Sequence, residues 1–248
     1  GNYWIWENCN YNKDYMVVAD VARGDGSDFS TFHIIDIETV TQVAEYRGQL
    51  TPKDFGNMLV AAATEYNDAL LIIENASVGF GAIQSAIDRD YKNLYYTYKQ
   101  DGVVDATTQL TKGYDLKDKS QMTPGFTTSS KTRPLLISKL DIYLREKVSI
   151  IRSKRLLEEL RVFIWNGSKA EAQRGYNDDL VMAFSIGMWV RDTALKLRQQ
   201  GIELDKLAIT RIGKSQPGIY SNNNIGGSNP WQMKTGRGQD EDLTWLIK

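Results

Sequence analysis

The distribution of apolar residues predicts a chain that begins with three strands and then alternates helices with strands. The apolar run at 15–21 predicts a buried strand, and the segments 31–37 and 41–48 predict two more strands. The turn between the first two, at 23–30, is rich in Gly and Asp. Strands joined by short turns pair antiparallel, so we expect an antiparallel meander at the start of the chain.

A fourth apolar run, at 69–74, follows a predicted helix and ends in an acid. That helix begins at Thr51, a natural N-cap, has Pro52 in its first position and runs to about Tyr66. Parallel strands need a crossover of this kind, so we expect an α/β fold with a mixed sheet. The later predicted elements are helices at 79–90, 131–146, from about 154 and at 177–199, strands at 94–98 and 149–151, and a hairpin at 163–172.

Segments without apolar periodicity indicate the domain organisation. Residues 99–130 are expected to form a long loop or small insertion, which is often a functional segment. Residues 213–236 are rich in Gly, Asn and Ser and predict a flexible linker, and the acidic then apolar stretch 240–248 resembles a docking peptide. The chain is therefore divided into a lead-in at 1–14, an α/β domain at 15–200 and a tail at 201–248.

The composition excludes several kinds of site. A single cysteine, Cys9, and a single histidine, His33, leave no internal disulfide, no cysteine-based zinc site and no histidine-rich metal site. The formal net charge of −1 argues against nucleic-acid binding by bulk charge, so any DNA contact needs a local basic patch. No apolar run approaches the roughly 20 residues of a membrane span, and we predict no membrane association.

Acidic residues stand at the ends of predicted elements. Asp20 ends the first strand, Glu74 ends the fourth, and Asp178 and Asp179 begin the last long helix. If the first and fourth strands are adjacent, these carboxylates converge, and their mutual repulsion raises their pKa values unless a divalent cation neutralises them. Oxygen ligands select hard ions such as Mg²⁺ or Mn²⁺. Two such ions about 3.5–4 Å apart support phosphodiester hydrolysis.

Each acid also has a purely structural interpretation. Asn177 is a good N-cap, and acids in the first helical turn suit the helix dipole. Acids that close strands, such as Asp20, often support turns, and the same holds for Asp28 in the following loop, which could instead join a metal shell through water. Position alone does not separate Asp178 from Asp179 as the third ligand.

Several stretches of the chain resemble the C-terminal nuclease domain of tailed-phage terminase large subunits, the DNA-packaging motors, most closely those of myovirus-type phages. The resemblance covers about residues 15–195. The stretches that carry it are 17–20 with the turn 24–28, then 71–75, 125–133 and 175–183.

This resemblance implies a ribonuclease H-like mixed sheet flanked by helices and a metal-dependent endonuclease that cuts concatemeric double-stranded DNA during genome packaging. It assigns Asp20, Glu74 and Asp179 as catalytic metal ligands for two Mg²⁺ or Mn²⁺ ions, with Asp178 and Asp28 as accessory acids. It also implies action in the cytoplasm of an infected bacterial host.

The full subunits of that family carry an N-terminal ATPase as well. No Walker A motif is found here, because the first glycine that Gly213-Lys214-Ser215 would require is Ala208. No ATPase activity is therefore expected, and the segment 1–14 is interpreted as a lead-in from a preceding ATPase domain. The resemblance adds the portal protein and the small terminase subunit as expected partners.

Two groups of basic residues are candidates for contacts with DNA phosphates. They are Lys112, Lys117, Lys119, Lys131 and Arg133 in or beside the long loop, and Arg152, Lys154 and Arg155 before the fourth predicted helix. A solvated charged surface is the alternative for each. The acids alone also leave open a junction resolvase, a nuclease for RNA–DNA hybrids and a non-catalytic interaction module.

Overall fold

A mixed five-stranded sheet forms the centre of the first of two compact units, which span Gly1–Gln200 and Gly201–Lys248. The computed structural model describes residues 1–26, 28–76, 78–98, 122–167, 169–192, 232–234 and 240–242. The strands of the sheet are β1 (Tyr3–Ile5), β2 (Tyr15–Asp20), β3 (Ser30–Asp36), β4 (Thr41–Gly48) and β5 (Leu70–Ile73).

The order of the strands is β1-β4-β3-β2-β5. Strands β2, β3 and β4 form the predicted antiparallel meander, and β5 pairs parallel to β2 with Ala19 opposite Ile73. The expectation that the first and fourth predicted strands are adjacent is therefore confirmed. Strand β1 lies within the predicted lead-in and pairs with β4; its three residues are too few to show a period.

Helices cover both faces of the sheet. These helices are α1 (Pro52–Glu65), α2 (Gly79–Asp88), α3 (Thr132–Arg145), α4 (Lys154–Val162) and α5, which is described over 179–192. Val17 and Ala19 pack with apolar side chains of α1 and α2, whereas Met16 and Val18 pack with those of α3 and α5. Because β2 is buried on both faces, it reads as a continuous apolar run rather than an alternating one.

The predictions for the middle of the chain are only partly confirmed. Strand β6 (Tyr96–Tyr98) pairs with β7 (Met122–Pro124) in a separate two-stranded sheet, and β7 lies in the segment predicted as a loop. The predicted strand at 149–151 is wrong, because Ile150 makes only an isolated bridge to Thr41. The predicted hairpin is present as β8 (Phe163–Asn166) and β9 (Lys169–Ala172).

In the second unit, two short strands, β10 (Gln232–Lys234) and β11 (Asp240–Asp242), pair antiparallel. The rest of the predicted linker and the apolar end of the predicted docking peptide lie outside the described residues. Among the described residues, no helix has the length and apolar character that crossing a membrane requires.

Gly125 allows the chain after β7 to run directly against the end of β5. The Phe126 amide donates to the Ile73 carbonyl at 2.8 Å, and the Asn75 amide donates to the Phe126 carbonyl at 2.9 Å. Gly125 has a φ of +83°, and a Cβ there would lie 2.5 Å from the Ile73 carbonyl oxygen. Glycine is thus required here both by backbone conformation and by space.

We expect Gly125→Ala to destabilise the protein more than Gly167→Ala. Gly167 also has a positive φ, +62°, but a Cβ there meets nothing within 4 Å. Both changes carry a conformational penalty of about 1–2 kcal/mol, and the clash with Ile73 adds about 1–3 kcal/mol only at Gly125. Denaturant unfolding of the two variants measures the difference, and equal losses of stability would contradict the close approach.

Candidate metal centre

Asp20 and Glu74 lie side by side where two parallel strands end. Strand β2 ends at Asp20, and the Glu74 amide donates to the Ala19 carbonyl at 2.9 Å, which extends the pairing one residue beyond β5. Burial, followed by the charge and the side chain of Glu74, raises the pKa of Asp20 well above its usual range, so the two carboxyl groups are neighbours.

Neighbouring segments contact the backbone around Glu74 from several sides. Phe126 forms a parallel bridge with Glu74, opposite the contact with Ala19. A Cβ at Gly79, the first residue of α2, would lie 1.9 Å from the Glu74 carbonyl oxygen. The Asn75 side chain donates to the Pro124 carbonyl at 3.1 Å and to Thr127 Oγ1 at 3.0 Å. These contacts leave Glu74 little freedom to move away from Asp20.

Asp179, the first residue of α5, brings a third carboxylate to this pair. The Phe29 amide donates to Asp179 Oδ2 at 3.1 Å, and Thr31 Oγ1 donates to the Asp179 carbonyl at 3.2 Å. Burial, together with the charges of Asp28 and Asp178, raises the pKa of Asp179 to about 6. Asp179 in turn contributes to the raised pKa of Asp20, so the carboxylates are electrostatically coupled.

Helix α5 reaches this position because it packs closely on β2. A Cβ at Gly187 would lie 3.0 Å from Val18 Cγ2, so the helix axis lies nearer to the sheet than a larger residue would allow. At the start of the helix, His33 Nε2 donates to the Leu180 carbonyl at 2.9 Å. His33 is buried in the interior, and this burial lowers its pKa.

Glu159 of α4 caps α5, a role that no local sequence pattern indicates. Its Oε2 accepts from the amides of Leu180 at 2.9 Å and Val181 at 3.3 Å. Burial raises the pKa of Glu159 to about 8. A glutamate inside an amphipathic helix looks like any surface acid in sequence, and only the packing of α4 against α5 shows its task.

Asp178 has different surroundings from those of Asp179. Its Oδ2 lies 2.5 Å from Arg133 Nη2, and Arg133 Nε also donates to the Ala170 carbonyl at 3.0 Å. Arg133 therefore ties the start of α5 to α3 and to the β8–β9 hairpin. The charge of Asp178 still contributes to the raised pKa of Asp20, so this ion pair lies next to the carboxyl cluster.

Of the remaining basic candidates that the structure describes, some are exposed and others form ion pairs within the chain. Lys131 and Lys154 are exposed, whereas Arg152 pairs with Glu7. Arg155 Nε donates to the buried Glu45 at 2.7 Å. Arg152 and Arg155 are predicted to contact DNA, but both side chains form ion pairs within the chain. Three further candidates lie outside the described residues: Lys112, Lys117 and Lys119.

In the part of the chain that the structure describes, no group of three or more His, Cys, Asp and Glu side chains is arranged so that it could hold a metal ion. A hydrated Mg²⁺ does not need such a group, since it keeps several waters and takes one or two protein carboxylates. Asp20 and Glu74 stand next to one another where β2 and β5 end, and their carboxylates offer the oxygen ligands that such an ion prefers. The donor set, with Asp179 beside the pair, therefore fits a hard divalent ion.

The fold also occurs in solved nuclease structures, although the sequence matches no protein-family profile. The large terminase nuclease from thermophilic phage G20c, solved with bound cobalt, is 18% identical with a TM-score of 0.57, covering 76% of this chain and 87% of that chain. Its structure with bound magnesium gives the same values. This chain has the fold of a large terminase nuclease domain. The corresponding domain of Thermus phage P74-26 is 20% identical with a TM-score of 0.52, covering 75% of this chain and 84% of that chain.

These terminase nuclease domains confirm the predicted fold class, a ribonuclease H-like α/β fold whose mixed sheet is flanked by helices. At 18–20% identity the likeness concerns the fold. The assignment of individual residues to a site depends on the geometry described above.

In metal-free buffer with EDTA, we expect the free energy of unfolding of the wild type to fall relative to Asp179→Asn as pH rises from about 4 to 7. The pKa of Asp179 is raised to about 6 in the folded state, so its proton stabilises the fold at acid pH and is lost above that value. The loss is about 2–3 kcal/mol.

Denaturant unfolding of both proteins at each pH measures this difference. Asp141→Asn, which changes an exposed acid of α3 outside the cluster, is the matched control and should follow the wild type. A parallel pH dependence in the wild type and Asp179→Asn would contradict the coupling of Asp179 to the cluster.

Proposed function

We propose that this chain is the nuclease domain of a phage terminase large subunit and that it cleaves concatemeric double-stranded DNA with divalent metal ions during genome packaging. The observation that carries the proposal is the neighbouring carboxyl pair of Asp20 and Glu74 at the ends of parallel strands, with Asp179 beside it. The fold of large terminase nucleases supports it. Solved nucleases of this kind contain bound cobalt, magnesium or zinc.

Asp20, Glu74 and Asp179 would hold two Mg²⁺ or Mn²⁺ ions. Bound ions of this kind supply an activated water and neutralise the negative charge that develops on the leaving 3′ oxygen of a phosphodiester. The task of the protein is to hold the carboxylates together despite their repulsion. The Phe29 amide orients Asp179, while the backbone contacts on both sides of Glu74 keep it next to Asp20.

Asp28 and Asp178 have accessory roles in this proposal. The charge of Asp28 raises the pKa of Asp179, and in this proposal Asp28 accepts a hydrogen bond from a metal-bound water. Asp178 holds Arg133 beside the cluster, where its guanidinium can contact a DNA phosphate. Exposed Lys131, at the start of α3, would extend this basic surface.

The proposed partners are double-stranded DNA, the ATPase domain of the same subunit, the portal protein and the small terminase subunit, in the cytoplasm of an infected bacterial host. DNA held mainly through phosphates gives little sequence preference, which suits an enzyme that cuts at the end of a packaging cycle. ATP hydrolysis is not proposed for this chain.

Asp20→Asn, Glu74→Gln and Asp179→Asn should each reduce Mg²⁺- or Mn²⁺-dependent cleavage of supercoiled plasmid DNA by at least about 100-fold, because each removes a charge that holds the ions. Gel assays of initial rates measure the loss, and circular dichroism verifies folding. Asp141→Asn is the matched control and should retain the activity of the wild type.

Full activity in all three variants would overturn the proposal. Unchanged Mn²⁺ binding to the variants by calorimetry would favour the non-catalytic module instead. A substrate panel completes the test: faster cleavage of a four-way junction or an RNA–DNA hybrid than of duplex DNA would assign the same carboxyl cluster to another ribonuclease H-like activity.

Asp178→Asn should lower the cleavage rate less than Asp179→Asn does. Asp178 is ion-paired with Arg133, whereas Asp179 is aligned by a backbone amide beside the carboxyl pair. Initial rates at saturating Mn²⁺, with melting temperatures to correct for the lost ion pair, measure the order. A greater loss in Asp178→Asn would exchange the roles of the two residues.

A further inference from the structure

A chain of contacts links the side chain of Asp179 to the backbone that follows it. Asp179 Oδ2 accepts from the Phe29 amide, and the guanidinium of Arg47 lies over the Phe29 ring, 4.3 Å from its centroid. Arg47 Nη2 lies 3.8 Å from Glu159 Oε1. Glu159 Oε2 then accepts from the amides of Leu180 and Val181, which follow Asp179 directly.

The helix end explains why Glu159 matters to a neighbouring residue. The first intrahelical bond of α5 runs from the Met182 amide to the Asp178 carbonyl, so the amides of Leu180 and Val181 belong to the first-turn donors that have no carbonyl partner within a helix. The side chain of the N-cap residue, here Asp178, usually serves such donors. Instead, Glu159 of α4 serves them. Asp178 pairs with Arg133, while Asp179 accepts from the Phe29 amide.

The link between Arg47 and Glu159 is electrostatic rather than a close hydrogen bond. Within the described part of the chain, Glu159 Oε1 and Arg47 Nε are both buried without a hydrogen-bond partner. Burying polar atoms without hydrogen-bond partners lowers the stability of the fold. Arg47 and Glu159 are retained, we infer, because the site must hold an acidic side chain in one orientation.

We propose that Glu159 is a positioning residue for the metal centre: by capping α5 from α4, it fixes the backbone that carries Asp179 and so sets the affinity for the divalent ion. This inference rests on the function proposed above. Residues that orient metal ligands without touching the ion typically change metal affinity 10- to 100-fold when they are removed.

The test is a calorimetric titration of the 248-residue chain with Mn²⁺ alone, at matched folded fractions. Glu159→Leu removes the cap and should weaken Mn²⁺ binding about 10- to 100-fold. Glu159→Gln keeps an oxygen at the same reach and should bind close to the wild type. Glu159→Asp keeps the charge but is one methylene shorter, so it should bind more weakly than Glu159→Gln.

Hydrogen exchange of the metal-free chain gives a second readout that does not depend on activity. The amides of Leu180 and Val181 should exchange faster in Glu159→Leu and Glu159→Asp than in the wild type or Glu159→Gln. Ser153→Ala is the matched control, because it removes the N-cap of α4, a 3.0 Å bond to the Leu156 amide, without touching the contacts of Glu159. It should lower the melting temperature and leave Mn²⁺ affinity unchanged.

The outcomes separate the two proposals. Wild-type affinity in folded Glu159→Leu would overturn the positioning role while leaving the metal centre intact. Loss in Glu159→Gln with retention in Glu159→Asp would overturn it in favour of a role for charge, and this pair decides the matter if Glu159→Leu does not fold. A wild-type chain that binds no Mn²⁺ would overturn the proposed function and this inference together.

Discussion

The parallel pairing of β2 with β5 is the constraint on which the rest of the structure depends. It places the ends of two buried strands next to one another, and each of these ends carries an acid, Asp20 and Glu74. A central sheet covered on both faces has no freedom to slip, because a shift of one residue would turn every apolar side chain of β2 to the opposite face. The same packing that stabilises the core therefore fixes two negative groups in contact.

The surrounding elements hold this unfavourable arrangement in place without relieving it. Gly79 and Gly125 let two backbone segments approach the end of β5 more closely than any side chain would allow. Helix α5 brings another acid, and Glu159 is buried behind it with a pKa raised to about 8. Repulsion among acids costs stability, so their accumulation at one sheet edge is typical of a functional site rather than of a structural ion-pair network.

The sequence predicts the structure best where an apolar pattern and a signal at the end of the element, such as a cap, occur together. The meander, α1 with its Thr51 cap and the strand-end positions of Asp20 and Glu74 followed from local patterns that the structure preserves. The short strands β1 and β7 did not follow, because three residues show no period, and neither did the separate pairing of β6. Ile150 was placed in a strand because apolar residues surround it.

At the candidate site, local sequence predicts less than it does for the fold. Local sequence left Asp178 and Asp179 equivalent, and their difference arises from partners far away in the chain, Arg133 for one and Phe29 for the other. Glu159 gave no signal at all, since capping a different helix depends on tertiary packing. Arg155 looked like a surface cation but lies over Trp4 and pairs with the buried Glu45.

The long sequence separation of the acids has a consequence for how the domain matures. Phe29 and Asp179, which meet in one hydrogen bond, are 150 residues apart. During synthesis Asp20 and Glu74 emerge first, and the third acid arrives only when α5 docks on β2. A chain that is stalled or cut before that helix holds an incomplete cluster. The acid cluster is therefore complete only once the whole domain has folded.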